Sequence, residues 1–512
     1  MHQLSSSRDV SFRDLPCDVR GSGSEQFRFS SCASTWRECQ PGDLFIAITR
    51  ADSDGHDDVD EARRRGAVAV LAERYLPTDL PVFLTEDTRE AYGHICHALA
   101  GHPTREMHGI GIAGTSGKTS TARHLNAILR AAGRLSVSAT DERWFDPQPM
   151  ESRPVTTAPR IVAGLSDAAA CGYQHAVLEL HSPHLARRVW SGTELDTLVL
   201  TNATADFRGL HNSADNHRRA VLRSLGLLKP HGMVIVNADD AALRSWLETC
   251  EMPAISYGLK HDATIEGEIL EETPYDQLLI VHAGCESAPI RLARPGRHNA
   301  SNALAAIATG LSLGIDLATM ARALELSSPA ERVLEPLQLD PDYPRVFVDR
   351  GTLPDRLRTT LSTIRRTTTG KLWVVYETPA DLAKDHRPAV GTLLERYASH
   401  AALCVHASIG HRALNTLHDL LDGYEDSGRD CVAVRLEQAI DWVCQRVAPG
   451  DALVVVGETP HAGQLVQEAL AARHADFEAA GNLAAVLPFA PTNASVEAPP
   501  KILKFEDFRR SA

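Results

Sequence analysis

The chain has 512 residues, of which 43% are hydrophobic and 23% charged, and a formal net charge of −14. That length is too great for one ordinary core and implies roughly three or four structural units. The acidic balance excludes a non-specific nucleic-acid binder, which needs a basic surface, and ten cysteines without a C-x-x-C pair argue against a zinc site or a disulfide frame.

The first residues, "MHQLSSSRDVSFRDLP", lack the apolar run of a secretory leader, and no stretch reaches the ~18 apolar residues of a membrane span. A cytoplasmic protein without a membrane span is therefore expected. Short apolar runs then alternate with helical stretches: 43–48 (DLFIAI), 67–72 (AVAVLA), 109–114 (GIGIAG), 175–180 (HAVLEL), 197–202 (TLVLTN) and 232–240 (GMVIVNADD). Strands buried on both faces and separated by helices build mostly parallel α/β sheets. After a helical pattern at 297–314 the rhythm restarts at 345–349 (RVFVD), 371–376 (KLWVVY), 402–407 (ALCVHA) and 452–457 (ALVVVG), as a further α/β domain would. Turn-forming residues near 101–107 and 327–337 set boundaries, giving expected units 1–103, 104–335 and 336–486. Residues 487–512, rich in proline and polar residues, read as a loosely held tail.

The segment 107–133, "MHGIGIAGTSGKTSTARHLNAILRAAG", reads as a strand, a glycine turn and an amphipathic helix. Gly114 and Gly117 let the backbone curl around a phosphate. Thr115, Ser116 and Ser120 line that curl, Lys118 reaches outer phosphate oxygens, and the Thr119 hydroxyl can ligate Mg²⁺. Ile112 stands where the usual G-x-x-x-x-G-K-[ST] pattern has its first glycine, so the loop is a variant. A plain strand-to-helix turn also carries glycines, but Gly-Lys-Thr at a helix start favours nucleotide binding.

Several ordered motifs extend the pattern. Upstream lie P-G-D-L-F (41–45) and D-G-H (54–56). Downstream come T-T-A-P (156–159), Glu179 in L-E-L-H-S-P-H, T-N-A-T-A-D-F (201–207), V-N-A-D-D (236–240), G-R-H-N-A-S-N (296–302) and V-F-V-D (346–349). In order and spacing these resemble the Mur ligase family, whose loop reads G-T-x-G-K-T, and within it the branch that adds the third residue of the UDP-muramoyl peptide. The resemblance spans about residues 35–465. It implies an α/β protein of three domains: a UDP-sugar-binding first domain, a central P-loop ATPase domain with a parallel sheet, and a Rossmann-like third domain presenting the amino acid.

The resemblance also implies chemistry. A substrate carboxylate attacks the ATP γ-phosphate, and an amine then attacks the acyl phosphate to form an amide, with Mg²⁺ and the loop lysine offsetting the accumulated negative charge. Lys118, Glu179 and His211 are the implied catalytic residues, with Thr119 and Glu179 on the first Mg²⁺. Asn302, Arg332 and Asp349 join the loop in contacting ATP, while Arg37, Thr156, Thr157 and Arg412 contact the UDP-muramoyl peptide or the amino acid. A monomer acting on small molecules is expected.

Other positions depart from the family. Phe207 and Val221 stand where its D-H-x-D-Y-H helix carries a histidine and, ten residues after the last histidine, a lysine that is carbamoylated for a second Mg²⁺. Pro183 occupies the histidine position of its E-V-S-S-H element, with His181 and His184 on either side. The D-N-P-R element that selects diaminopimelate reads I-G-H-R (409–412), and the terminal G-K-G-H-E reads G-E-T-P-H (457–461). Ile409 offers no hydrogen-bond acceptor, which disfavours diaminopimelate as the incoming amino acid. Three hypotheses follow: an active ATP-dependent amide ligase of peptidoglycan precursor synthesis, a catalytically impaired nucleotide-binding relative acting as regulator or scaffold, and an unrelated P-loop phosphotransferase.

Overall fold

A computed structural model describes residues 5–50, 52–140, 144–145, 157–203, 213–327, 332–340, 343–380, 382–424, 431–432, 435–484 and 503–504. The described residues form three sheets in succession along the chain. The first has five strands in chain order, Ser5–Ser11, Arg28–Ala33, Leu44–Ile46, Ala69–Ala72 and Val82–Leu84; the first pair is antiparallel and the others are parallel.

The second sheet has ten strands. Its parallel centre places His108–Ala113 between Leu195–Leu200 and His175–Leu180, with Ala113 in register with both Leu200 and Leu180. That register brings residues 114, 181 and 201 to one end of the sheet, the carboxyl end where open α/β sheets bind ligands. All six residues of His175–Leu180 are buried, as expected of an apolar run covered on both faces. Three antiparallel strands, Ile265–Glu272, Gln277–Ala283 and Glu286–Leu292, extend one edge. The sequence reading did not include them, because their alternating exposed glutamates break the solid apolar run sought elsewhere.

Helix Lys118–Ala131 leaves the phosphate loop and packs against helix Arg297–Ser312, which is buried from Asn302 through Gly310. The small residues of "NALAAIATG" let neighbouring helices approach: a Cβ on Gly310 would stand 3.3 Å from Ile128 Cγ2 of the first helix and 2.3 Å from Met320 Sδ of helix Leu317–Glu325. The two helices join Ile110, Ile112, Ile235 and Leu304 in one apolar core.

The third sheet has seven strands, ordered Glu335–Pro336, Arg345–Asp349, Ala452–Val456, Leu372–Thr378, His400–Val405, Cys431–Val432 and Leu503–Lys504, with the outermost pair on each side antiparallel. The described part of the final segment, Leu503–Lys504, thus pairs with Cys431–Val432. Among the described cysteines, Cys171 and Cys285 are exposed.

Close contacts join the sheets. Helix Thr88–Leu99 follows the first sheet and meets the second so tightly that a Cβ on Gly93 would lie 2.3 Å from the Ser191 carbonyl oxygen. His97 Nε2 lies 3.1 Å from Thr193 Oγ1, and Arg188 forms ion pairs with Asp87 and Glu90. The second and third sheets meet through the Arg366–Glu272 ion pair at 2.9 Å and the Tyr275–Phe347 ring contact at 6.0 Å. Among the described residues, no helix is long and apolar enough to cross a membrane.

Candidate active site

The phosphate loop bridges strand His108–Ala113 and helix Lys118–Ala131. Gly114 has φ 145° and Gly117 φ 85°, values that side-chain-bearing residues rarely adopt. Space is equally restrictive. A Cβ on Gly114 would stand 2.1 Å from Thr201 Oγ1, and one on Gly117 would stand 2.3 Å from Asn302 Oδ1. Asn302, predicted to contact the nucleotide, is therefore held against the loop by its buried helix.

Lys118 is buried, and its ammonium donates to the Gly114 carbonyl at 2.7 Å and the Thr115 carbonyl at 3.3 Å. The cation is thus folded back along the loop whose amides would face a phosphate. The next residue, Thr119, donates its hydroxyl to Glu179 Oε2 at 3.0 Å. Glu179 is 2% exposed, its Oε1 has no hydrogen-bond partner among the described residues, and His181 Nε2 lies 3.6 Å from its Oε2. A buried carboxylate oxygen without a donor is costly unless something else satisfies it. A hydroxyl beside a carboxylate is the all-oxygen donor set that Mg²⁺ takes, together with water and phosphate oxygens. The residues present therefore fit the ion at this point.

A second layer holds the loop, and the sequence reading gave it no role. Asn202 Oδ1 accepts from the Thr115 and Ser116 amides at 2.9 and 3.1 Å, while its Nδ2 donates to the Ser116 carbonyl and hydroxyl at 3.1 and 3.0 Å. Thr201 Oγ1 donates to the Ser116 carbonyl at 2.7 Å. His217, buried on helix Ala214–Leu222, shares a 2.8 Å hydrogen bond with Thr115 Oγ1. The available signal was a Thr-Asn pair directly after an apolar strand, where a parallel sheet presents its binding end.

Other predicted residues are placed differently. Asp349 ends strand Arg345–Asp349 and is buried. It accepts from the amides of Leu334 (2.9 Å) and Gly351 and from Thr360 Oγ1 (3.2 Å), with burial raising its carboxyl pKa. Arg332 directs its guanidinium to the third sheet, donating to the carbonyls of Gly457 and Glu458 at 2.5 and 2.9 Å. Arg37 is exposed and lies over the Trp36 ring at 4.7 Å. Thr157 is the N-cap of helix Ala158–Ala170, and Arg412 is exposed before helix Ala413–Leu421. His211, Thr156, Asp206 and Phe207 lie outside the described residues.

Of the second-metal positions, the two that are described, Val221 and Pro183, offer no ligand to an ion. Val221 is fully buried among Leu178, Leu180, Trp190 and Val236, and Pro183 opens the short helix Ser182–Ala186. Among the described residues, no group of three or more His, Cys, Asp or Glu side chains could hold a metal.

The description "Mur ligase middle domain" matches residues 112–310, and "Mur ligase, glutamate ligase domain" matches residues 334–459. Together they span more than half of the chain. It belongs to the Mur ligase family. Among the relatives of this Mur ligase, the UDP-N-acetylmuramoyl-L-alanyl-D-glutamate–2,6-diaminopimelate ligase of Bacillus licheniformis is 28% identical over 449 residues, covering 85% of this chain and 91% of the relative. A solved 2,6-diaminopimelate ligase of the same designation superposes with a TM-score of 0.66 at 20% identity, covering 91% of this chain and 100% of the other. The MurF ligase of Thermotoga maritima in complex with ADP superposes with a TM-score of 0.59 at 17% identity, covering 87% and 98%. The Mur ligase fold of three α/β domains expected from the motifs is thereby established.

Proposed function

We propose that this Mur ligase is an ATP-dependent amide ligase that adds an amino acid to a UDP-N-acetylmuramoyl peptide in peptidoglycan precursor synthesis. The observation that carries this is the Lys118–Thr119–Glu179 constellation: a buried ammonium folded on the phosphate loop, and beside it a hydroxyl–carboxylate pair with one oxygen unsatisfied. The loop and Lys118 bind the triphosphate, while Asn202 and Thr201 brace the loop through Thr115 and Ser116.

The substrate carboxylate attacks the γ-phosphorus with ADP leaving, and the amine then displaces phosphate from the acyl carbon. Lys118 meets the charge that builds on the transferred phosphoryl oxygens, where a preorganised cation in a water-poor site acts most strongly. Mg²⁺, when bound at Thr119 and Glu179, supplies Lewis-acid neutralisation of the phosphate oxygens. ADP in a solved relative of this fold supports ATP as the co-substrate. Arg37 and Thr157 on the UDP-sugar side and Arg412 on the amino-acid side are the proposed substrate contacts.

The B. licheniformis relative is by designation a diaminopimelate ligase. Here Ile409 packs against the core of the third sheet and has no acceptor for a distal amino group. We therefore assign an amino acid other than diaminopimelate. The test is ADP release with ATP, UDP-muramoyl dipeptide and a panel of amino acids. Turnover that depends on both acceptor and amino acid is expected. Tight ATP binding with no amino-acid-dependent turnover across the panel would establish the impaired, regulatory alternative.

A further inference from the structure

Glu377 is the penultimate residue of strand Leu372–Thr378, at the carboxyl edge of the third sheet next to strand Ala452–Val456 and the turn that follows it. It is 2% exposed, and no cation among the described residues forms an ion pair with it. Its Oε2 accepts from the backbone amides of Glu458 (2.9 Å) and Thr459 (3.0 Å), and its Oε1 accepts from the Thr459 hydroxyl at 2.6 Å. A Cβ on Gly457 would come within 2.5 Å of Glu377 Oε2, so glycine is what allows this approach.

Arg332 holds the opposite side of the same turn through the Gly457 and Glu458 carbonyls. The Gly457 carbonyl and the Glu458 amide belong to one peptide group, and the Glu458 carbonyl and the Thr459 amide to the next. Two successive peptide groups therefore run side by side from an anion to a cation. Each N–H points at a carboxylate and each C=O at a guanidinium, an alignment in which every bond polarises the next. Arg332 itself has φ 53°, its amide donates to Glu335 Oε2 at 2.7 Å, and its carbonyl accepts from the Arg350 amide at 2.9 Å. A non-glycine residue keeps such a backbone only where its surroundings fix it.

We propose that Glu377 is a positioning residue that sets the Gly457–Thr459 turn and, through its two peptide groups, holds Arg332, so that the linker from residue 332 moves with the third sheet as one piece. The kinetic consequence rests on the ligase function above; the geometry does not. With both amides and both carbonyls engaged, the backbone of this turn is committed to the linker rather than to the incoming amino acid.

The test is a double-mutant cycle on the full chain with Glu377→Gln and Arg332→Lys, read first by hydrogen exchange of the peptide spanning residues 455–461. Glutamine keeps the shape of Glu377 but turns a donor toward at least one of its three donors, and lysine keeps the charge of Arg332 but replaces its rigid planar fork, matched to the two carbonyls, with a shorter side chain ending in a single flexible ammonium. Each single substitution should speed exchange of the Glu458 and Thr459 amides about tenfold, and the double variant should be no faster than the faster single. Exchange within about twofold of wild type in Arg332→Lys, or effects that multiply in the double variant, would overturn the proposal. Should Glu377→Gln fail to fold, Arg332→Lys alone decides it. In ligation assays the same variants should lower kcat about tenfold while KM for ATP stays within about threefold. A wild-type chain that does not ligate would count against the ligase function and leave the exchange result to judge Glu377.

Discussion

Lys118 is the residue on which phosphoryl chemistry turns, because its ammonium is already desolvated and aimed along the loop. Lys118→Ala should reduce amino-acid-dependent ADP release by at least about 100-fold, measured by coupled assay. Asn202 acts one layer behind. Asn202→Ala removes the side-chain acceptor shared by the Thr115 and Ser116 amides and the two donations to Ser116, a loss of about 1–3 kcal/mol for a group left unsatisfied. Its KM for ATP should therefore rise about tenfold or more, and an unchanged KM would remove Asn202 from the loop's support. At this scale the sequence was most informative where a motif is contiguous, as at Gly114–Thr119; Glu179 stood out only through its place in the ordered family motifs, since alone it reads as a solvated carboxylate at a strand end. Asn202 and His217 act through strand register and helix packing, which no local spacing reveals. Arg332 and Asp349 are expected at the nucleotide by motif alone; the hydrogen bonds they make to the Gly457–Glu458 turn, the Leu334 and Gly351 amides and Thr360 were not legible in the sequence.

The helix Ala214–Leu222 shows how one element can serve two neighbours. His217 faces the phosphate loop, and one turn later Val221 faces the apolar core. The type change at 221 was visible in the sequence, but its consequence depends on burial. A lysine there would carry its charge into a site lined by Leu178, Leu180 and Trp190. Val221→Lys should thus lower stability by at least about 3 kcal/mol in denaturant unfolding rather than restore a metal site; an unchanged midpoint would mean that the side chain reaches solvent or a ligand. Elements read from solid apolar runs, such as His175–Leu180 and Leu372–Thr378, were legible because burial on both faces demands them. The hairpin strands from Ile265 to Leu292 bury one face only, and their glutamates hid them.

Across the whole molecule the chain's rhythm revealed the succession of α/β units, whereas the contacts between units were not legible. The Gly93–Ser191 approach and the His97–Thr193 hydrogen bond join residues about a hundred positions apart. Burial lowers the His97 pKa from 6.5 to about 3, so folding favours its neutral form. Its contribution is complete above pH 6.5 and is lost as the pH falls from there towards 3, at up to about 1.4 kcal/mol per unit. In His97→Gln the stability lost between pH 6.5 and 5 should be smaller by about 2 kcal/mol, measured by urea unfolding at both pH values; an identical pH dependence would show that His97 does not titrate with unfolding. The proposed reaction draws on all three sheets, and its most direct test is ADP release by the wild-type chain given ATP, Mg²⁺, UDP-muramoyl dipeptide and an amino-acid panel. Turnover that requires both acceptor and amino acid, and vanishes in Lys118→Ala, is the predicted result. Nucleotide binding with no amino-acid-dependent turnover from any member of the panel would contradict it.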